Sequence, residues 1–190
     1  MQLSRRALFA TALIGMTALA APSFAADPDN TMIITLKDGE VRIALRSDLA
    51  PKHVAQIKEL VRSGAYDGVA FHRVIAGFMA QTGDVKYGNL NKGYNGELVG
   101  SGGSDLPDLP AEFSNEAYVR GTVGMARSED PNSANSQFFI CFDDCSFLNG
   151  QYTVWGEVVE GMDNIDKIKR GEPVTDPDKI VSLKVMADAA

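Results

Sequence analysis

Eight short stretches of alternating or continuous apolar residues, separated by Gly, Pro, Asn and Asp, restrict this chain to a mainly β fold. They cover residues 32–36, 41–45, 69–75, 78–82, 122–127, 137–142, 152–158 and 180–186. The second alternates most cleanly, with Val41, Ile43 and Leu45 on one face and Arg42 and Ala44 on the other. Lys37-Asp38-Gly39-Glu40 joins it to the first as a hairpin whose Asp-Gly supplies the positive-φ position. Helical spacing occurs in two segments. Pro51 opens one where its missing N–H is harmless, Val54, Ile57, Leu60 and Val61 share a face, and Gly64 ends it. The other, 162–170, is apolar at Met162, Ile165 and Ile168. Eight strands with two helices predict a closed eight-stranded antiparallel barrel capped by two α-helices, although periodicity alone serves a sandwich equally well.

Residues 1–25 stand apart. Arg5 and Arg6 form a positive start, 7–21 is apolar but too short to span a bilayer, and Ser23-Phe24-Ala25 offers small residues at a cleavage site. This predicts a signal peptide cleaved near Ala25, a periplasmic destination, and a single domain over 26–190. No Cys follows the cleavage site, so a lipid anchor is not implied. Ser4-Arg5-Arg6 also fits a twin-arginine signal, which leaves both export routes open. Loss of Arg5 and Arg6 takes the formal charge from −7 to −9, a poor match for nucleic acid or an anionic membrane. The 45% hydrophobic content is enough for one real core.

Two histidines, no Cys-x-x-Cys and no oxygen-rich calcium loop point to neither a metal nor another cofactor. Cys141 and Cys145 lie in a chain whose export would permit a disulfide, but Cys141 ends a strand and Cys145 falls in the next turn, which favours two unpaired thiols. The stretch 85–110 is rich in Gly and Asn. No strand leads directly into it, no helix leads out and no Lys-Ser/Thr pair follows, so it reads as a mobile surface loop and not as a phosphate cradle.

The chemistry concentrates in three segments: 71–81, which holds Arg73, Phe78, Met79 and Gln81; 122–127, ending in Ala126 and Arg127; and 136–141, with Gln137 and Phe139 on one strand. Together, and in this order, they resemble the cyclophilin family of peptidyl-prolyl cis-trans isomerases, and the resemblance runs from about Met32 to Met186. It implies a cyclophilin barrel acting, as a monomer, on X-Pro bonds of folding envelope proteins. Arg73 matches the family's catalytic arginine; a permanently charged, multi-donor group also suits a twisted prolyl amide. The plain alternative for Arg73 is a surface arginine paired with a carboxylate. Phe78, Met79, Phe139 and Leu148 would form the proline pocket, while Phe138 and Ile140 turn to the core. Gln81 and Gln137 would hydrogen-bond substrate amides or act as network amides, and the segment at Ala126 and Arg127 would lend backbone contacts. His72 reads as structural, because isomerisation moves no proton. A binding module or chaperone using the same groove on proline-containing segments is the second functional reading.

Some positions depart from the family. Arg127 stands where many members carry Asn, Ala76 where Pro is usual, Phe147 in place of a common Trp and Tyr152 in place of a common His. Residues 85–99 are longer than in most members. None of these removes the arginine or the pocket. The change at Phe147 implies weak cyclosporin binding, because that Trp ring and its N–H help to hold the drug.

Overall fold

The computed structural model describes residues 27–189; the leader expected over 1–25 lies outside them. Eight strands form one antiparallel sheet: β1 (Thr31–Leu36), β2 (Gly39–Leu45), β3 (Arg73–Ile75), β4 (Met79–Thr82), β5 (Thr122–Met125), β6 (Phe138–Cys141), β7 (Val154–Glu160) and β8 (Ser182–Val185). Their order is β3-β4-β6-β5-β7-β2-β1-β8. Gly39 takes φ +138 at the β1–β2 turn, as the Asp-Gly pair predicts. Two helices accompany the sheet, α1 (Pro51–Arg62) and α2 (Met162–Ile165).

Two expectations need correction. The sheet is open: no ladder joins β3 to β8. The gap is spanned by single bridges, Val74 with Gly171 and Ala70 with Lys179, and by bonds such as Phe71 N–H to Asp178 O at 2.8 Å. The segment facing β3 carries Pro173 and Pro177, which have no N–H to give, so a continuous ladder cannot run there. The second helix is also shorter than its apolar spacing suggests. It makes one turn, after which the chain leaves so that Gly171 can reach Val74, and Ile168 is buried from the turn that follows.

The concave interior is filled by Trp155, Phe138, Tyr66, Met32, Ile34 and Ile43, all fully buried. Phe138 meets Tyr66 and Trp155 edge to face, at 5.7 and 5.4 Å between centroids. Helix α1 packs through Val54, Ile57, Leu60 and Val61, the face that the sequence spacing picks out. Its N-cap, Ala50, has no side-chain oxygen to offer. Glu112 caps instead, accepting the backbone N–H of Lys52 and His53 at 3.1 Å each and the His53 ring Nδ1–H at 2.7 Å.

This capping makes the fold sensitive to acid. Burial holds the His53 imidazole below its ordinary 6.5, against the pull of Glu112. Burial pushes the Glu112 carboxyl up, but the His53 ring and the amides of His53 and Lys52 outweigh it, and the net shift is down. Both groups therefore hold fewer protons folded than unfolded, and stability falls as pH falls. The His53 contribution is present above pH 6.5 and is lost below it. That of Glu112 is lost on going below its ordinary 4.5 and through its folded value. The melting temperature should therefore drop on going from pH 7.5 to 5.5. In His53→Gln that drop should shrink; an unchanged pH dependence would remove His53 from the account.

The glycine-rich stretch is tied down at its base. Asp84, fully buried, accepts four backbone N–H groups: Lys86 at 3.1 Å and Tyr87 at 2.8 Å on one oxygen, Gly100 at 2.7 Å and Gly102 at 3.0 Å on the other. Asn135 secures its far part by accepting from Ser104 N–H at 2.8 Å and donating to Leu106 O at 2.9 Å.

Candidate active site

Strand register assembles the site. Pairing sets Arg73 opposite Gln81, Gln81 opposite Phe139, and Phe139 opposite Gly124. Directly opposed side chains project to one face, so Arg73, Gln81 and Phe139 stand in a row. Ile75, Met79 and Cys141 form the parallel row on the same outer face. Val74, Ala80, Phe138 and Ile140 point the other way and belong to the core.

The outer face carries its own apolar cluster, built on Met79, Phe139, Leu148 and Tyr118, with Phe78 and Tyr152 packed against it. Gly124 closes the row without a side chain. A Cβ there would lie 2.7 Å from Phe139 Cζ and would collide with the Tyr118 hydroxyl. The space lets Tyr118 stack under Phe139 at 5.7 Å and 24°. Cys141 and Cys145 are free and buried in this cluster. Burial pushes both thiols up, which leaves them protonated and unreactive at neutral pH.

Above the cluster opens a cleft of about 130 Å³, lined by Arg73, Phe78, Met79, Gln81, Ala126, Arg127, Phe139, Leu148 and Tyr152. Every lining residue is one that the sequence pointed to. Phe147 stands outside the lining, 62% exposed, its ring 5.2 Å from that of Phe78. Gln137 lines an adjoining cavity of about 340 Å³ that shares Gln81, Ala126 and Arg127 with the first and is bounded by Gly100, Ser101 and Gly102. A larger cavity of about 450 Å³, between α1 and the 85–106 segment, touches none of these residues.

A polar chain runs along the rim. Arg73 Nη1 reaches Gln81 Oε1 at 3.4 Å, Gln81 Nε2 donates to Gln137 Oε1 at 3.0 Å, and Gln137 Nε2 donates to Gly100 O at 3.0 Å and Gly102 O at 2.7 Å. Both N–H bonds of Gln137 are thus committed to the loop that Asp84 anchors. Gln81 keeps one N–H for a ligand. Arg127 is held by the carbonyls of Ser128, Glu129 and Gln151 and lies 4.3 Å above the Tyr152 ring. His72 is buried beside Gly100; burial lowers its pKa more than Asp84 raises it, so the ring is neutral.

A family model for cyclophilin type peptidyl-prolyl cis-trans isomerases matches residues 31–185. The chain belongs to that family. Its enzyme class, peptidyl-prolyl cis-trans isomerase, agrees with its relatives. A Brucella suis protein named probable peptidyl-prolyl cis-trans isomerase is 63% identical, with 99% of each chain covered. Among solved structures, the cyclophilin AquaCyp293 of Hirschia baltica aligns with a TM-score of 0.75 and 32% identity, covering 87% of this chain and 77% of its own. A Cryptosporidium parvum cyclophilin-type isomerase, solved in the presence of the dipeptide Ala-Pro, gives a TM-score of 0.68 and 26% identity over 82% of this chain and 98% of its own.

Sequence reasoning missed two residues of this cyclophilin's site. Glu172 bonds Arg73 Nε at 2.5 Å from 99 positions further along the chain, and no local pattern announces such a partner. The carboxylate pairing considered for Arg73 is therefore present together with its place in the cleft. Asp84 left a faint signal, a Gly-Asp pair directly after β4, where an Asp side chain commonly caps a turn.

Proposed function

We propose that this cyclophilin accelerates rotation about X-Pro bonds in proteins folding in the cell envelope, with Arg73 stabilising the twisted amide above an apolar proline pocket. The observation that carries the reading is the cleft itself: a guanidinium and one free amide N–H on the rim, and Phe78, Met79, Phe139 and Leu148 beneath. An X-Pro bond resists rotation by about 18–20 kcal/mol and isomerises in tens to hundreds of seconds unaided. A turnover near ~10³ per second corresponds to a barrier of roughly 13 kcal/mol, so the site supplies about 5–7. Burying about 100 Å² of proline ring contributes roughly 2.5 kcal/mol to binding. As the amide twists, its nitrogen becomes pyramidal and more basic. A donor aimed there interacts weakly with the planar ground state and strongly with the twisted one. No proton moves, and the neutral, buried His72 has no part in the step.

A protease-coupled assay on a proline tetrapeptide tests the reading. Catalysis at substoichiometric enzyme supports it; peptide binding without catalysis would favour the proline-binding chaperone instead. Export through the leader is part of the same proposal. It requires the envelope fraction to contain a chain that begins just after Ala25, and a cytoplasmic chain that retains Met1 would contradict it.

Weak inhibition by cyclosporin follows from Phe147, which offers a ring but no N–H. Phe147→Trp should tighten inhibition by about tenfold, the equivalent of one added hydrogen bond of roughly 1 kcal/mol plus ring area. Equal inhibition of both forms would show that this position does not control the drug.

A further inference from the structure

Arg73 is gripped from behind. Its Nε donates to Glu172 Oε1 at 2.5 Å, while Nη1 turns toward Gln81. The position of Glu172 is built into the backbone: Gly171 and Val74 exchange two N–H to O bonds of 2.8 Å each, and Val174 N–H donates to His72 O at 3.1 Å. Residues 171–174 thus lie along the edge of β3 that β4 leaves free, and the Glu172 side chain meets Arg73 across it.

An arginine side chain on a strand edge samples many rotamers, and a transition state that needs one of them is reached less often. Binding Nε at the back, with Nη1 turned to Gln81, leaves the Nη2 N–H groups for a ligand and fixes the plane in which they point. Both partners are partly exposed, at 38% and 55%, so the pair adds little to the stability of the fold, and its proposed role is orientation. We propose that Glu172 is the positioning residue for Arg73, holding the guanidinium plane toward the prolyl nitrogen. This rests on Arg73 being the group that stabilises the twisted amide.

The test is a double-mutant cycle in kcat and KM on a proline tetrapeptide, with the Arg73 Nε–Hε resonance followed by NMR. Glu172→Ala should lower kcat about three- to tenfold with KM within twofold. It should also move the Arg73 resonance to the position of a freely hydrated arginine. Glu172→Gln keeps an acceptor at the same reach and should recover at least half of the activity. In an Arg73→Ala background, Glu172→Ala should change nothing further. Full activity in Glu172→Ala, or a loss equally large in the Arg73→Ala background, would overturn the positioning role while leaving Arg73 in place. A rise in kcat on removing Glu172 would overturn it too, because the pair would then be restraining the arginine. If Arg73→Ala itself keeps full kcat, the reading beneath the proposal fails instead.

Discussion

Arg73→Ala should lower kcat/KM at least tenfold, and nearer a hundredfold, while peptide affinity changes by less than about threefold. The range corresponds to roughly 1.4–3 kcal/mol of transition-state stabilisation. The split follows from geometry. Arg73 lines the rim, whereas Met79, Phe139 and Leu148, which would bury the proline ring, are held by a separate cluster that includes Tyr118 and Val154. Removing the guanidinium leaves that floor in place, and the side chain is 38% exposed, so the fold loses little. Steady-state assays with a binding titration check both halves. Unaltered kcat/KM in a folded variant would remove Arg73 from the mechanism.

The largest effect on stability should come from Asp84→Asn. Its carboxylate is fully buried, accepts four backbone N–H groups, and has no Lys, Arg or His within 4 Å among the described residues. An amide replaces one acceptor oxygen with a donor, and that donor then faces N–H groups that have no other partner. The expected cost is about 2–4 kcal/mol in chemical denaturation. Gly100 and Gly102 also offer the carbonyls that hold Gln137, so loosening their loop should raise KM several-fold with a smaller change in kcat. A loss of less than about 0.5 kcal/mol would mean that the loop is held by other contacts.

The sequence made most of the site legible because strands have a period of two. Once β6 was read as a strand, Phe139 had to face away from Phe138 and Ile140, and the sheet places it there. Met79 and Gln81 share a face on β4 for the same reason. Helix α1 was legible from Pro51, its apolar face and Gly64, but its cap was not, because Glu112 is 60 residues from Lys52. The open sheet, the single turn of α2 and the grip of Glu172 on Arg73 share one cause. Residues 166–181 cross from the end of α2 to β8 by irregular bridges to Val74, Ala70 and Phe71, and such contacts have no period to read.

A group that acts on the rotating bond, the role proposed for Arg73, leaves the affinity for proline nearly intact when it is removed. NMR exchange on a proline peptide tests this most directly, since one titration gives both the dissociation constant and the cis–trans rate on the enzyme. Exchange should be rapid at substoichiometric wild-type protein. Arg73→Ala should bind nearly as tightly yet exchange at least tenfold more slowly. Equal exchange rates in the two proteins, or affinity and rate lost in the same proportion, would contradict it.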